Sequence, residues 1–306
     1  MFDFVRLRKH KIYKFKPKVK IHTDKGPFIL KTVSDADELI EALRLRYQVF
    51  HRELLGKTRQ KGIDVDEFDF ICDHLVIIEK KTNTIVGTYR FNCSEFSQSF
   101  YCTQEFHMKN LMALPGIKLE LGRACIHKDY RRGVVIALLW RGIAEYMAAT
   151  NAALLFGCAS IKTESPRQAA LLYHHFKSDN RFKEGMLCPP TSKFSMPSLG
   201  LWIENLSRQL TAEEQSEIEE LIPPLCRAYL KAGALLGGEP AWDSAFRCVD
   251  FLTILPRENL NAALWRKYKP WSADDQTPDT EKNQSLPRAD QHPPSTLVMN
   301  HEMSPA

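Results

Sequence analysis

The sequence contains no apolar run long enough to cross a lipid bilayer. Its longest stretch without a charged side chain, residues 146–161, has 16 residues and includes Thr150 and Asn151, whereas a spanning helix needs about 20 apolar residues. Lys and Arg recur from the N-terminus up to Lys20 with no apolar segment behind them, which argues against a cleavable secretory signal. We therefore expect a cytoplasmic protein.

Several motifs on which common chemistry depends are also missing. The sequence has no P-loop, no GxSxG nucleophile motif and no GxGxxG dinucleotide motif. The eight cysteines form no CxxC pair and are expected to be reduced and mostly buried, and the histidines lack metal-ligand spacing. Without a helix-turn-helix or zinc module, nucleic acid is not an expected partner. We expect neither a metal nor a permanently bound cofactor.

Charge divides the chain into three parts. Residues 1–31 carry ten Lys or Arg against two acidic side chains, whereas residues 268–306 carry three basic against six acidic ones. Aromatic residues interleave with the basic ones at the N-terminus, so we predict that residues 1–31 form a segment that binds an anionic membrane surface and that residues 1–20 take little part in the fold; a solvated or nucleic-acid-binding arm is the alternative. The proline-rich tail, residues 268–306, is predicted to be disordered.

The middle part, residues 32–267, alternates strand-like and helical patterns without a repeat, which is typical of one α/β domain. An amphipathic helix is predicted from Ser34 onwards, and two strands at 74–80 and 85–92 form a hairpin. Further strands are predicted at 118–127, 153–160 and 246–255, and helical segments at 130–147, 165–176 and 211–232, the last of them broken at Pro223 and Pro224.

This order of elements resembles the GNAT superfamily of N-acyltransferases, which implies an αβα sandwich around a mixed, mostly antiparallel central sheet. Seven residues resemble the ordered signature of acyl-homoserine-lactone synthases, namely Arg46, Phe50, Asp66, Asp69, Arg90, Glu120 and Arg123. From residue 118 onwards the sequence is more similar to the ornithine-lipid N-acyltransferases, often labelled hemolysin-like. That second resemblance covers residues 32–267.

The resemblance implies an acyltransferase that moves a 3-hydroxyacyl chain from acyl carrier protein to the α-amine of L-ornithine. The product would be lyso-ornithine lipid, the first intermediate of ornithine-lipid biosynthesis, and a downstream O-acyltransferase would be a further partner. Because the product enters a bilayer, the resemblance favours a peripheral protein on the inner face of the membrane. Acylation of lysine, glutamine or glycine, synthesis of a homoserine-lactone signal, and a non-enzymatic membrane-binding GNAT fold are the alternatives.

Attack of an amine on a thioester needs a group that neutralises the ammonium, donors for the carbonyl and an acid for the departing thiolate. We predict Glu120 as the base and, from the GNAT resemblance, Tyr173 as the acid; a structural ion pair and core packing are their respective alternatives. In a regular strand Glu120 and Arg123 point to opposite faces, so both reach one pocket only if the strand contains a bulge.

The remaining signature residues are predicted to bind the acceptor and the acyl chain. Asp66, Asp69 and Arg90 are candidates for holding the amino-acid head group, or else form an ion network that fixes the N-terminal loop on the sheet. Arg46 and Phe50 lie four residues apart on the first helix, where they face the same side. Phe50 is expected either to contact the acyl chain or to pack in the core.

The loop before the helix at 130–147 departs from acetyl-CoA enzymes, which typically place small residues there around a pyrophosphate. Val134 and Ile136 stand at those positions in this sequence. We therefore predict that the loop binds the single phosphate of the phosphopantetheine arm of an acidic carrier protein, with a variant CoA loop as the alternative. The predicted donor-binding residues are Lys128, Arg131, Arg132 and Gly133.

Overall fold

A single sheet organises the chain in the computed structural model, which describes residues 11–57, 62–131, 133–206 and 209–260. Its strands follow the order β1-β2-β3-β4-β5-β6-β9-β7, and β8 also pairs with β9. The strands are β1 (His22–Lys25), β2 (Phe28–Thr32), β3 (Asp73–Glu79), β4 (Thr84–Cys93), β5 (Ile117–Ile126), β6 (Ala152–Ile161), β7 (Leu235–Leu236), β8 (Ala241–Asp243) and β9 (Cys248–Pro256). All pairs are antiparallel except β5 with β6, which is parallel.

Helices cover both faces of this sheet. They are α1 (Ala36–Arg46), which continues as π-helical turns over Tyr47–Leu54, α2 (Lys109–Ala113), α3 (Val134–Thr150), α4 (Pro166–Ser178), α5 (Leu199–Asn205), α6 (Ala212–Leu221) and α7 (Pro224–Ala232). Short 3-10 turns occupy Glu67–Phe70, Tyr101–Gln104, Lys128–Tyr130, Ser192–Phe194 and Arg257–Asn259. Within the described parts of the chain, no helix combines the length and apolar character that a bilayer crossing requires.

Local sequence signals explain several of these boundaries. Asp35, one residue after the predicted start, caps α1 by accepting from the backbone N–H groups of its first turn. Ser165 caps α4, with Pro166 in the first helical turn, as the sequence predicts. Pro223 and Pro224 separate α6 from α7, because proline cannot continue the hydrogen bonding of a helix.

Two apolar layers give the sandwich its form. On one face, α3 and α7 pack on the sheet, with Leu75, Leu119, Leu138, Ile143, Leu155 and Tyr229 among the buried contacts. On the other face, α1 packs on the N-terminal half of the sheet, with Leu39, Leu43, Val76 and Ile85 among them. This arrangement is the predicted αβα sandwich.

The sheet begins earlier than the sequence indicates. Strand β1 lies before residue 32, the predicted start of the domain, and β2 ends at that residue. Ile12 and Phe15 are buried against α1. The backbone N–H groups of Lys18 and Val19 donate to the carboxylate of Asp73 at 2.8 and 2.9 Å. The prediction that residues 1–20 take little part in the fold is therefore wrong for residues 11–20, and the sheet begins before residue 32. The edge strand β1 contains no apolar residue and β2 has only five residues, so their composition does not look like that of a folded core.

The two central strands separate halfway along their length. Pairing of β5 with β6 ends at Glu120 and Phe156, although both strands continue beyond these residues. At the point of separation, a Cβ atom on Gly157 would lie 2.2 Å from the carbonyl oxygen of Leu121. Glycine therefore allows the two backbones to approach closely just before the sheet opens.

Strand β5 contains the bulge that the two signature residues require. Thr88 of β4 pairs with Cys125, but Arg90 pairs with Gly122, so two residues of β5 oppose one residue of β4. Arg123 adopts a left-handed φ of 53° within this bulge. As a result, Glu120 and Arg123 line the same cavity, which confirms the geometric condition derived from the sequence.

Candidate active site

A cavity of about 430 Å³ occupies the opening between β5 and β6. Its wall on the α3 and α7 side is apolar and includes Leu121, Leu155, Leu225, Tyr229 and Leu255. Its other wall carries polar side chains, among them Arg90, Tyr101, Glu120, Arg123 and Asp250. One cavity therefore offers surfaces for an apolar chain and for a charged head group side by side.

An ion network stands behind the polar wall, and we call it the arginine cluster. It consists of Arg46, Arg90 and Arg123 together with Asp64, Asp66 and Asp69. Arg46 is 1% exposed; its Nε donates to Asp64 at 2.8 Å and its Nη1 to Asp69 at 2.6 Å. The guanidinium of Arg46 is therefore fully engaged within the protein.

Arg90 and Arg123 link the cluster to the cavity. Arg90 Nη1 donates to Asp66 Oδ1 at 2.6 Å and to Asp69 Oδ1 at 3.0 Å. Arg123 Nη2 donates to Asp66 Oδ2 at 3.0 Å, and its guanidinium lies 5.1 Å from the ring centre of Tyr101. Aromatic stacking and carboxylate bonding together fix both guanidinium groups.

The cations of the cluster keep its carboxylates ionised. Burial alone would disfavour the charge of Asp69, but Arg46 and Arg90 outweigh burial and hold the pKa of Asp69 well below its ordinary value. The same balance lowers the pKa of Asp64, where Arg46 and Arg123 oppose the effect of burial. Each buried negative charge in this region therefore has a hydrogen-bonded positive partner.

The structure divides the seven signature residues into two groups. Phe50, Arg90, Glu120 and Arg123 line the cavity. Arg46, Asp66 and Asp69 lie behind it in the arginine cluster, and Asp66 also caps the turn Glu67–Phe70. The geometry of this second group corresponds to the ion network raised as an alternative in the sequence analysis. Phe50 packs edge-on against Phe246 with ring centres 6.4 Å apart.

Glu120 is held by the backbone opposite it. Its Oε1 accepts from the N–H of Cys102 at 2.7 Å, and its Oε2 from the N–H of Tyr101 at 3.0 Å and from Asn92 Nδ2 at 3.3 Å. These bonds fix the turn Tyr101–Gln104 on the cavity wall. The role of Glu120 as a base stays a prediction, and its partners are two backbone N–H groups and the Asn92 amide, not the arginine expected for a structural pair.

Tyr173 does not lie in the cavity wall. Its ring packs against Phe182 at 5.1 Å, on the outer side of α4, and Lys177 lies 5.8 Å from its ring centre. Burial raises the pKa of this hydroxyl. The structure therefore gives no geometric support to Tyr173 as the acid for a thiolate leaving from this cavity.

The predicted donor loop lies at the N-terminus of α3. Gly133 has a φ of 88°, a conformation that favours glycine, and it directly precedes the helix. Lys128 is exposed, whereas Arg131 donates to the carbonyl of Ile126 at 3.1 Å and pairs with Glu53. Arg132, the fourth predicted residue, lies outside the described residues. The described residues of this loop do not line the cavity.

Two buried carboxyl groups on the polar side, Glu105 and Asp250, were not among the residues predicted from the sequence, and we call them the acid pair. Glu105 is 0% exposed and Asp250 is 3% exposed. Cys158 Sγ donates to Glu105 Oε2 at 3.4 Å, and ligand atoms of these three residues lie within 4.8 Å of one another. In the structure an S–H···O hydrogen bond from Cys158 therefore links this group of three side chains.

The acid pair has the opposite electrostatics to the arginine cluster. Burial, with repulsion from Asp250, raises the pKa of Glu105 to about 8. Burial, with repulsion from Asp243, raises the pKa of Asp250 to about 6. Both carboxyl groups therefore hold protons far more readily than exposed acids do.

A sequence signal existed for only one member of the pair. Asp250 interrupts the apolar run 246–255, and a carboxylate inside a buried strand needs a special partner or a function. Glu105 lies in a loop, and nothing in its sequence neighbourhood marks it as buried. Only the fold brings the two carboxyl groups together.

Comparison with known proteins adds three similarities. Residues 45–141 match a GNAT acetyltransferase domain. The chain is 30% identical over 248 residues to the L-ornithine N(alpha)-acyltransferase of Rhodobacter capsulatus, covering 76% of this chain and 91% of that protein. It is 30% identical over 237 residues to the protein of the same name from Rhizobium meliloti, covering 72% of this chain and 77% of the relative. The domain match and the sheet confirm the predicted GNAT-like fold.

Among solved structures, similarity extends to acyl-homoserine lactone synthases. The CoA-dependent synthase BjaI shares 16% identity with a TM-score of 0.41, over 77% of this chain and 84% of that one. The synthase LasI shares 14% identity with a TM-score of 0.43, over 79% and 94% of the two chains.

Proposed function

Because the chain belongs to the family of L-ornithine N(alpha)-acyltransferases, we propose that this acyltransferase transfers a 3-hydroxyacyl chain from acyl carrier protein to the α-amine of L-ornithine. The product is lyso-ornithine lipid. The observation that carries the proposal is the cavity between β5 and β6, with one apolar wall and one charged wall. A long acyl chain and a zwitterionic amino acid require those two surfaces next to each other.

The apolar wall suits the acyl chain. Leu121, Leu155 and Leu255 belong to the core layer shared with α3, and Tyr229 of α7 joins them. Each buried methylene of an acyl chain contributes about 0.8 kcal/mol of transfer free energy. A wall of this composition therefore favours long chains over an acetyl group.

Arg123 is the group that we assign to the carboxylate of the acceptor. Its side chain is 16% exposed, and its Nε has no hydrogen-bond partner among the described residues. The left-handed bulge turns this side chain towards the cavity, and Arg90 adds a second positive charge on the same wall. A guanidinium with an unused donor is well suited to bind an amino-acid carboxylate.

The direct test is an acyl-transfer assay. The purified protein is incubated with a 3-hydroxyacyl carrier protein and one amino acid at a time (ornithine, lysine, glutamine or glycine), and products are identified by mass spectrometry. We expect N-acylornithine as the main product. Transfer to another amino acid in preference to ornithine, release of a lactone, or no transfer to any amino acid would each contradict the proposal.

Acyl carrier protein is the proposed donor because the loop before α3 is basic and lacks a small-residue cradle. The carrier-protein thioester is expected to outcompete the same acyl chain on CoA. Lys128→Glu should raise the KM for the carrier protein about tenfold and leave the KM for acyl-CoA within twofold, because an acidic carrier is repelled over a larger surface. The control is Lys183→Glu, an exposed lysine elsewhere. Equal effects on both donors would contradict a carrier-protein site at this loop.

Peripheral attachment to the inner face of the membrane completes the proposal. Five lysines between residues 11 and 20 are exposed, while Ile12 and Phe15 point into the core. We expect the variant with Lys14, Lys16 and Lys20 changed to Glu to lose binding to anionic vesicles without unfolding, since each basic residue near such a surface contributes about 1 kcal/mol. Cosedimentation measures the binding, and the exposed set Lys81, Lys183 and Lys231 serves as control. Unchanged binding would exclude these lysines as the membrane contact.

A further inference from the structure

Asp250 lines the cavity, Glu105 does not, and neither carboxyl group of the acid pair has a hydrogen-bonded cationic partner among the described residues. We propose that Asp250, supported by Glu105, binds the side-chain ammonium of a diamino-acid acceptor and so selects it over neutral amino acids. This inference rests on the proposed function and names a determinant of its specificity. It concerns a different part of the acceptor from the carboxylate assigned to Arg123.

The positions of the two groups fit the two ends of such an acceptor. Arg123 lies on β5, whereas Asp250 lies on β9 and pairs with Ser160 of the intervening strand β6. Both side chains line the cavity, on opposite sides of the opening between β5 and β6. An amino acid lying across this opening presents its carboxylate to Arg123 and its side-chain ammonium to Asp250.

Within the described parts of the chain, no cation forms an ion pair with Glu105 or Asp250, and Lys162, which also lines the cavity, is exposed. The titratable side chains that influence Asp250 or Glu105 come from four strands and the Tyr101–Gln104 region: Tyr101, Arg123, Cys158, Asp243 and Cys248. Arg123 is the one cation among them, and its hydrogen bond goes to Asp66. Asp243 adds negative charge, and its Oδ1 accepts from the N–H groups of Ala245 and Phe246.

Glu105 supplies the observation that points to a missing ligand. It is fully buried, and its Oε1 has no hydrogen-bond partner among the described residues. An unsatisfied buried carboxyl oxygen is costly, and a bound ammonium would offset that cost for the pair. When the ammonium arrives, a proton leaves the acid pair for solvent, so that the bound state contains one carboxylate facing one ammonium.

The test compares two acceptors with the same five-carbon skeleton, L-ornithine and L-norvaline, which lacks the side-chain ammonium. For the wild-type protein we expect kcat/KM to favour ornithine by about 30-fold, the value of one charge-assisted hydrogen bond. Asp250→Asn should remove most of this preference by lowering kcat/KM for ornithine, while the value for norvaline stays within about threefold. Glu164→Gln, an exposed carboxylate paired with Arg247, is the matched control and should leave the ratio unchanged.

The outcomes separate this inference from the function on which it rests. Transfer by the wild-type protein to neither acceptor would overturn the proposed function itself. Equal transfer to both acceptors, or an equal loss for both in Asp250→Asn, would leave amino-acid acylation in place and overturn the assignment of Asp250.

A second measurement covers the case in which Asp250→Asn does not fold. Calorimetric titration of the wild-type protein with each acceptor, in two buffers of different ionisation enthalpy, counts the protons released on binding. We expect ornithine to release more protons than norvaline at pH 6.5, and Glu105→Gln to reduce the difference. Identical proton counts for the two acceptors would overturn the inference.

Discussion

Two charged regions border the same cavity and differ in how their charges are balanced. In the arginine cluster, three guanidinium groups meet three aspartates, and Asp69 is fully buried yet ionised. In the acid pair, Glu105 and Asp250 are equally buried, but no cation is hydrogen-bonded to either of them among the described residues. The same residue type therefore has a lowered pKa in one region and a raised pKa in the other.

The difference teaches that burial of a charge has two distinct uses in this protein. An ion network such as the arginine cluster fixes structure, because each of its carboxylates accepts a hydrogen bond from a guanidinium. A buried acid on a cavity wall that has no cationic partner within the protein can bind a cation from outside. The arginine cluster shapes the site, and the acid pair is available for a ligand.

The largest effect is expected from Arg46→Met. The substitution leaves Asp64 and Asp69 buried without their main cation, which typically costs about 3–5 kcal/mol of unfolding free energy. Urea unfolding followed by circular dichroism measures it. Arg44→Met, two residues earlier on α1 with a side chain 58% exposed, should change stability by less than about 0.5 kcal/mol. Similar losses in both variants would mean that the cluster does not stabilise the fold.

Gly157→Ala tests the geometry at the point where β5 and β6 separate, between the arginine cluster and the acid pair. The added Cβ would meet the Leu121 carbonyl oxygen at 2.2 Å, so β5 and β6 must shift at a cost of about 3 kcal/mol. Thermal unfolding should show the loss, with reduced acyl transfer in the folded protein. Gly200→Ala is the control, since nothing lies within 4 Å of its built Cβ. A Gly157→Ala variant as stable as the wild type would refute the close approach.

Stability should respond to pH in opposite directions in the two regions. Raised carboxyl pKa values mean that the acid pair contributes stability fully below the ordinary carboxyl range, and that this contribution is lost as pH rises through about 6 to 8. We expect the melting temperature to fall by roughly 5 °C between pH 5.5 and 8.5, and Asp250→Asn to flatten this slope. A slope unchanged in Asp250→Asn would assign the titration to other groups.

The arginine cluster determines how the stability of the protein changes at low pH. Because the pKa of Asp69 is lowered, its contribution is present above the ordinary carboxyl range and is lost as pH falls. Loss of stability below pH 4 should therefore persist in Asp250→Asn, which separates the two regions in one experiment.

The smallest effect is expected from Tyr173→Phe. Tyr173 does not line the cavity, and the ring contact with Phe182 is retained. Steady-state acyl transfer should stay within about twofold of the wild type. A loss of 100-fold or more would restore Tyr173 as the acid for the thiolate, as the GNAT resemblance implies.

Much of the fold could be predicted from periodicity and local chemistry. The hairpin of β3 and β4, the capped start of α4, the proline break between α6 and α7, and the apolar strands β6 and β9 all follow from short-range patterns. The two N-terminal strands could not be predicted, because β1 contains no apolar residue and β2 has only five residues, one of them a lysine that pairs with Glu38 of α1. A short edge strand such as β1 carries a weak hydrophobic signal.

The sequence by itself determined the GNAT-like fold, most element boundaries and the set of candidate residues, because helical and strand periods are properties of neighbouring residues. Only the tertiary structure decided which candidates share a cavity. The bulge at Arg123 and the opening after Glu120 depend on pairing between β4, β5 and β6. The acid pair joins residues 145 positions apart, and their raised pKa values arise from burial and from repulsion by Asp250 on Glu105 and by Asp243 on Asp250, which exist only once the chain has folded.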